Sequence, residues 1–237
     1  MNKLIQFSGG KDSLACLHLY RDDPGAVALY IDTGETFPHV KEFVRDSCLR
    51  MGVELVIRGP KKTVLEWQSE NGMPADIVPW DATPEMRWAS KEPFGPPLVP
   101  YSTCCSHNIW APMVGAVKSL GVKEVVRGSK KCDSHVGVTD GYTDDGGVKY
   151  ISPLWDWTDA DVFSYLKENS VDIPAQYEAG ADSLDCWCCT AYMDGHGQAR
   201  FAYMKDNYPE LYAMAKPRMD SVSASVRAAV AHYNLEV

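Results

Sequence analysis

Two sets of residues in this chain have the types and the spacing for chemistry. The first is Phe7-Ser8-Gly9-Gly10-Lys11-Asp12-Ser13. It follows an apolar run, 3–7, and precedes Leu14-Ala15-Cys16-Leu17-His18-Leu19-Tyr20, so it reads as the turn between a first strand and a helix. Two adjacent glycines leave backbone N–H groups open and let an anion approach the main chain where the helix starts. Ser8 and Ser13 add hydroxyls, Lys11 adds a cation, and Asp12 adds a carboxylate able to hold Mg2+ or orient a neighbour. The result is a phosphate cradle, although its spacing is not the G-x-x-x-x-G-K-[ST] of a Walker loop. The second set is sulfur. Of eight cysteines, Cys16 and Cys48 fall singly in helical patterns and read as core thiols. The rest are Cys104-Cys105, Cys132 and Cys186-Trp187-Cys188-Cys189. Cys104-Cys105 and Cys186-x-x-Cys189 flank the eighty residues 106–185. Paired thiolates from two places in the chain are what a four-coordinate metal or a cluster needs. Adjacent cysteines normally point apart, which a cubane with separated irons accommodates better than one zinc ion. A [4Fe–4S] cluster is therefore expected ahead of Zn2+. Spacing alone leaves open whether Cys188 is a ligand or a bystander.

The elements that must position these groups alternate. Ala26–Tyr30 reads as a second buried strand ending in Ile31-Asp32-Thr33-Gly34, and residues 38–50 as a helix with Val40, Phe43, Val44 and Cys48 at helical spacing. Residues 53–57 form a third strand, and Thr63 with Glu66 three residues on caps the next helix. Strand, helix, strand, helix, strand implies a parallel sheet with crossover helices, whose ligands bind at the carboxyl ends of the strands. Residues 71–101, with Trp80, Trp88 and Pro93-Phe94-Gly95-Pro96-Pro97, break the pattern and read as a covering loop or irregular insertion. A helix resumes over 108–120. A fourth strand over 123–127 runs into Gly128-Ser129-Lys130-Lys131, so Arg127, Lys130 and Lys131 form a second anion site on the same edge. Residues 136–149 are a Gly- and Asp-rich loop, 150–154 a short edge strand, and Thr158 caps a helix to about Asn169. Two further helices are expected over 197–216 and 219–233, with an alanine-rich face suited to packing or to a second copy.

The Ser-Gly-Gly-Lys-Asp-Ser string resembles the PP-loop of the ATP pyrophosphatase superfamily, in which the loop holds ATP phosphates while the α–β bond is broken. Ile31-Asp32-Thr33-Gly34 with Phe37-Pro38, the basic Arg127-Gly128-Ser129-Lys130-Lys131, the Ser152-Pro153-Leu154-Trp155-Asp156-Trp157-Thr158 segment and the spacing of the four cysteines resemble the adenylyl-sulfate/phosphoadenylyl-sulfate (PAPS) reductase family, in its iron–sulfur branch. The resemblance runs from about residue 3 to 190. It implies a Rossmann-like, adenine nucleotide alpha hydrolase-like α/β fold: a parallel twisted sheet with helices on both faces. A nucleotide-binding and cluster-bearing domain would occupy 1–190, with a C-terminal helical extension at 191–237. Two departures matter. No cysteine follows Cys189, where the reductases carry a catalytic cysteine near the C-terminus, and the loop is intact, where the reductases have a degraded one. Both point toward ATP.

The resulting expectation is an enzyme of sulfur metabolism that adenylylates an acceptor and supports sulfur transfer. Ser8, Gly9, Gly10, Lys11, Asp12 and Ser13 would hold the triphosphate with Mg2+, Asp32 and Gly34 would line the adenosine side, and Arg127, Lys130 and Lys131 would hold the second anion. Cys104, Cys105, Cys186 and Cys189 would hold the cluster. A sulfonucleotide reductase using Cys132 or Cys188 is the first alternative, and a noncatalytic nucleotide- or redox-sensing subunit the second. A net charge of −9 argues against nonspecific binding to DNA or an anionic membrane surface and leaves room for a local basic site for a nucleotide or tRNA. No stretch approaches the roughly 18 apolar residues of a membrane span, and the N-terminus does not read as a signal peptide. The expected location is the cytoplasm, with a sulfur or electron donor protein as a partner.

Overall fold

The computed structural model describes residues 3–87, 89, 96–133, 140–144, 146–181, 183–193 and 196–232. In chain order the elements are β1 (Lys3–Gln6), α1 (Lys11–Tyr20), β2 (Ala26–Ile31), α2 (Pro38–Met51), β3 (Glu54–Arg58), α3 (Val64–Asn71), β4 (Met73–Ala75), α4 (Pro84–Arg87) and β5 (Leu98–Pro100). Then come α5 (Tyr101–Cys105), a π-helical turn (Ser106–Trp110), α6 (Ala111–Leu120), β6 (Glu124–Val126), β7 (Lys149–Ile151), α7 (Asp159–Glu168), α8 (His196–Asn207) and α9 (Pro209–His232). The chain divides into two compact units that alternate along the sequence. One comprises Met1–Asp32, Phe37–Gly59 and Pro112–Tyr177, the other Thr33–Thr36, Pro60–Ala111 and Glu178–Val237.

The first unit is the expected α/β fold. Its five strands are all parallel, in the order β3-β2-β1-β6-β7. All six residues of β2 are buried, as an apolar strand covered on both faces requires. Leu4, Val27, Leu29, Ile31 and Val125 face one way and pack with Ala116 and Val117 of α6. Alternate residues Ile5, Ala28 and Tyr30 face the other side and are equally buried. Pro38 at its first position suits the start of α2, and Gly52, at φ 67°, ends it by donating its N–H to the carbonyls of Cys48 and Leu49. Thr158 and Asp161 form a reciprocal capping box on α7. The sheet order reverses between β1 and β6, whose register pairs Ile5 with Val126. The turns leaving these two neighbouring strands, 7–10 and 127–130, therefore start side by side at the carboxyl edge, the switch point where such sheets bind ligands.

The second unit holds a small parallel pair, β4 with β5, registered Met73 to Leu98 and Ala75 to Pro100. Met73, Ala75, Ala82 and Leu98 pack with Val222 of α9. The described residues of the 71–101 stretch thus include a two-stranded element and a short helix, where a covering loop or irregular insertion was expected; three-residue strands are too short to give a readable alternation. Trp88 and Pro93–Gly95 of that stretch lie outside the described residues, as do His135 and 136–139 of the Gly- and Asp-rich loop. The capping box of Thr63 and Glu66 on α3 forms as expected. The helix expected from Asn108 begins earlier, at Tyr101, and passes through the π turn before α6. Pro112 lacks an N–H and its ring crowds the carbonyl four residues back, so a widened turn just before it relieves both problems. The C-terminal helices are present, but they divide at Tyr208 and not near Pro217, which sits inside α9. Pro209 takes the first position of α9, where its missing N–H costs nothing, whereas Pro217 forfeits one bond in an otherwise strong helix-forming run. Among the described residues no helix is long and apolar enough to cross a membrane.

Candidate functional site

In the first unit the loop after β1 is built by its own hydroxyls. Gly9 takes φ 87°, a conformation that favours glycine. The Ser8 and Ser13 hydroxyls lie 3.1 Å apart, Gly10 N–H donates to Ser8 Oγ at 3.3 Å, and Ser13 Oγ donates to the Gly10 carbonyl at 2.9 Å. Lys11 N–H, the first of α1, donates to the Tyr177 hydroxyl at 3.0 Å. A Cβ on Gly10 would come 3.0 Å from that same hydroxyl. Gly128 serves the neighbouring turn: a Cβ there would meet the Asp12 carbonyl carbon at 2.8 Å and the Ser13 nitrogen at 3.0 Å. Only glycine lets the two turns approach so closely.

Charge converges on Asp12. Its carboxylate accepts from Lys11 Nζ at 3.1 Å and from Lys130 Nζ at 2.8 Å. Lys130 also reaches Asp133 at 2.6 Å and Asp159 at 3.1 Å, and Lys11 lies 3.5 Å from Asp159. The Lys130 side chain is 1% exposed. Burial pushes its ammonium pKa down, but hydrogen bonds to Asp12, Asp133 and Asp159 outweigh that and hold it above the usual lysine value. Partial burial works to raise the Asp159 carboxyl, and the two lysines overcome it and hold it below the usual carboxylate value. Arg127 turns elsewhere, donating to Ser152 Oγ at 3.2 Å and lying 5.4 Å from the centre of the Tyr150 ring. Lys131 is exposed. Asp32, at the end of β2, pairs with Lys41. The structure thus joins Ser8, Gly10, Lys11, Asp12, Ser13 and Lys130 in one network, while Arg127, Lys131 and Asp32 make other contacts. Asp133, Asp159 and Tyr177 are new members. Asp159 reads from sequence only as an acid suited to the positive end of a helix, and nothing in the sequence marks the 118-residue reach from Lys130 to Asp12.

In the second unit the cysteines meet. Cys104, Cys188 and Cys189 are buried, and Cys105 and Cys186 are half-buried. The thiols of Cys104, Cys105, Cys186 and Cys189 act on one another electrostatically, and burial raises each above the usual value, Cys105 to about 12 and Cys189 to about 11. The Cys186–Cys189 stretch closes as a turn, with Cys189 N–H donating to the Cys186 carbonyl at 3.1 Å. Thr33 Oγ1 lies 3.4 Å from Cys186 Sγ, and Gly34 beside it takes φ 82° against Thr63. Cys104 Sγ receives two amide donors, Gln68 Nε2 at 3.6 Å and Asn108 Nδ2 at 3.7 Å. Two arginines close the shell. Arg200 donates to Asp185 at 2.8 Å and to the Cys189 and Ala191 carbonyls at 3.0 Å, and Arg218 donates to Gln68 Oε1. The Nε of each arginine is buried and has no hydrogen-bond partner among the described residues. Among the described residues no three His, Cys, Asp or Glu side chains stand together as a single-ion site. The chemistry of the donor set nonetheless suits a cluster: soft sulfurs from two chain segments, N–H donors aimed at sulfur, and two arginines whose Nε atoms are buried with no partner among the described residues. Gln68, Asn108, Arg200 and Arg218 carried no sequence signal, since each is a polar residue inside an ordinary helical pattern.

The family model described as "Phosphoadenosine phosphosulfate reductase domain" matches residues 2–192. An uncharacterised protein of Methanocaldococcus jannaschii is 26% identical over 212 residues, which cover 87% of this chain and 44% of that protein, so the chain spans less than half of that relative. Among solved structures, the phosphoadenylyl-sulfate reductase of Candida auris, in a phosphate complex, superposes with a TM-score of 0.56 at 22% identity, covering 79% of this chain and 82% of that one. It shares the fold. The Candida glabrata FMN adenylyltransferase is a weaker likeness, with a TM-score of 0.49 at 16% identity over 78% of this chain and 52% of that one.

Proposed function

The chain belongs to the phosphoadenosine phosphosulfate reductase domain family, and on that premise we propose that it is an ATP-dependent enzyme of sulfur metabolism that transfers an adenylyl group and supports sulfur transfer. Residues 1–190 supply the nucleotide and cluster sites, and 191–237 form the helical extension. The observation that carries the reading is the Lys11–Asp12–Lys130 network on an intact phosphate loop. An acceptor attacks the α-phosphorus, the bond from that phosphorus to the bridging oxygen breaks, and pyrophosphate leaves. Loop N–H groups, Ser8, Ser13 and Lys11 are fixed donors for the charge that develops on the leaving group, and fixed donors are where such catalysis gains most. Lys130 is held by three carboxylates and keeps Asp12 oriented. Asp32 and Gly34 line the adenosine side, and Arg127 and Lys131 take the second anion. Mg2+ fits this donor set: it binds through one or two carboxylates plus substrate phosphates, and Asp12 is the carboxylate at the loop.

Cys104, Cys105, Cys186 and Cys189 would hold a [4Fe–4S] cluster, which when bound supplies an electron-transfer or sulfide-carrying centre. The alternative of sulfonucleotide reduction is favoured by one observation: Cys132 is an exposed thiol, with its Sγ 3.6 Å from Asp133. Cys188, at 1% exposure, is shielded from substrate. The test uses anaerobically purified protein with Mg-ATP, adenylyl sulfate or phosphoadenylyl sulfate. AMP and pyrophosphate from ATP are expected, and Lys11→Ala should reduce AMP formation on the order of 10²–10³-fold with iron and sulfide content unchanged. Sulfite from a sulfonucleotide, lost in Cys132→Ser, would replace this reading with the reductase.

A further inference from the structure

The second unit contains a relay that no catalytic role has absorbed. Arg218 of α9 donates to Gln68 Oε1, and Gln68 Nε2 donates to Cys104 Sγ at 3.6 Å. A guanidinium has only donors, so it fixes the Gln68 amide with oxygen toward the arginine and N–H toward the sulfur. Gln68 is 2% exposed, so water does not compete for either end. Asn108 supplies a second N–H to the same sulfur at 3.7 Å. Arg218 also acts electrostatically on Cys104 and Cys188, and Arg200 acts on Cys189. Among the described residues the buried Nε of each arginine has no hydrogen-bond partner. A guanidinium whose Nε is buried and idle is costly unless something anionic faces it. The acids near them are Asp185, already paired with Arg200, and Glu35, which lies within electrostatic range of Arg218. Both arginines lie beyond residues 2–192, so this part of the chain is additional to the matched domain.

We propose that Arg218, acting through Gln68 on Cys104, and Arg200, beside Cys189, are positioning residues that compensate the negative charge of the thiolate-ligated cluster and raise its reduction potential. This inference rests on the cluster reading above. Four thiolates around a four-iron centre carry net negative charge, and uptake of one electron adds to it. A nearby buried cation and N–H donors to sulfur favour the reduced form. Cys104 is the sulfur on which this bias is concentrated.

The experiment is a redox titration of the anaerobically purified full chain with dithionite and mediators, followed by electron paramagnetic resonance, with iron and sulfide counted in every sample. In Arg218→Met, at unchanged iron and sulfide content, the reduced-to-oxidised ratio at a fixed potential should fall about tenfold, equivalent to about 59 mV for a one-electron couple. Arg218→Lys should recover part of the shift, because it keeps the charge but not the planar fork. Lys216→Ala removes an exposed cation of the same helix, paired with Asp220, and should leave the potential in place. An unchanged potential in Arg218→Met, or an equal shift in Lys216→Ala, overturns the proposal. Should Arg218→Met fail to fold, Gln68→Leu carries the same test: a lowered potential supports the relay and an unchanged one overturns it. Absence of iron and sulfide from the unsubstituted protein would sink the cluster reading itself, visibly and before any variant is compared.

Discussion

The nucleotide loop and the cysteine site satisfy buried charge in opposite ways. In the first unit every buried lysine at the loop has carboxylates against it: Lys130 touches Asp12, Asp133 and Asp159, and Lys11 touches Asp12 and Asp159. In the second unit the sulfurs are neutral thiols in a buried setting, and the cations beside them keep idle nitrogens. The first arrangement neutralises itself from the chain's own side chains. The second has N–H donors left over among the described residues, although Asp185 and Glu35 stand near its arginines. A site of the first kind can hold its shape before substrate arrives, and a site of the second kind has donors to offer an anionic guest such as the proposed cluster.

The sharpest way to break this contrast is to remove the lysine at the centre of the first network. Lys130→Ala leaves Asp12, Asp133 and Asp159 facing one another with one fewer cation, and Asp12 with Lys11 alone. Breaking a fully buried ion pair from one side costs about 3–5 kcal/mol, but Asp133 and Asp159 are about half exposed and keep their hydration, so the cost here should be nearer about 1–3 kcal/mol. The first unit should lose roughly that much by denaturant melt, and nucleotide binding should fall with it. Lys130→Met fills the same volume and should behave no better, because the loss is of charge and not of packing. A melt unchanged in both variants would show that the acids are solvated and that the network is not self-neutralising.

How far these two sites were legible follows from the range of the interactions. The loop, its flanking strand and helix, and both capping boxes are local, and residues one to four apart declare themselves. The parallel sheet with crossover helices also follows, since alternating strands and helices leave few topologies, but the order of its strands does not. Lys130 was visible as a cation at a strand end, but its turn toward Asp12 depends on β1 and β6 being neighbours, which no local signal states. The cysteine pairs were legible because cysteine is rare and its spacing means something. Gln68 and Arg218 were not, because a buried glutamine in α3 and an arginine in α9 look like any solvated helix face until the fold brings them together. The β4–β5 pair was missed for a related reason: strands of three residues, one of them containing Pro74, carry too little pattern to read.

Acidification separates the two units by sign. In the first unit Asp159 titrates below its ordinary value, so the stability it contributes is present above about pH 4 and is lost as pH falls through its folded value. His18 is held down by burial and by Arg21, so its contribution is present above about 6.5 and is lost as pH falls and the ring must charge. In the second unit burial raises Glu35, so the ionised carboxylate is a cost that sets in above its ordinary value and is relieved as pH falls. Melts followed unit by unit from pH 7 to about 2 should therefore show the first unit weakening, first through His18 and below about pH 4 through Asp159, by at most about 1.4 kcal/mol per pH unit for each proton taken up, while Glu35→Gln stabilises the second at pH 7 and flattens its profile. Parallel acid profiles in the two units would contradict this assignment.

The smallest expected effect is also the cleanest comparison, because each unit carries the same device. Thr63 with Glu66 caps α3 in the second unit, and Thr158 with Asp161 caps α7 in the first. Both hydroxyls accept from a backbone N–H at 3.2 Å, and both carboxylates accept the reciprocal bond at 2.7 Å. Thr63→Ala and Thr158→Ala should each cost about 1 kcal/mol. The local energies match, so any difference in outcome comes from what each helix supports. Residue 159, the first of α7, joins Lys11 and Lys130, so loosening that helix end should weaken nucleotide binding along with stability. Thr63 meets Gly34, where a glycine Cβ would lie 2.8 Å from its Cγ2, and α3 carries Gln68 toward Cys104. Loss of that cap should instead appear as faster loss of iron and sulfide in air, with nucleotide binding retained. Equal effects of both substitutions on both readouts would mean that the two sites share one cooperative unit, and the contrast between them would then be one of composition and not of independent stability.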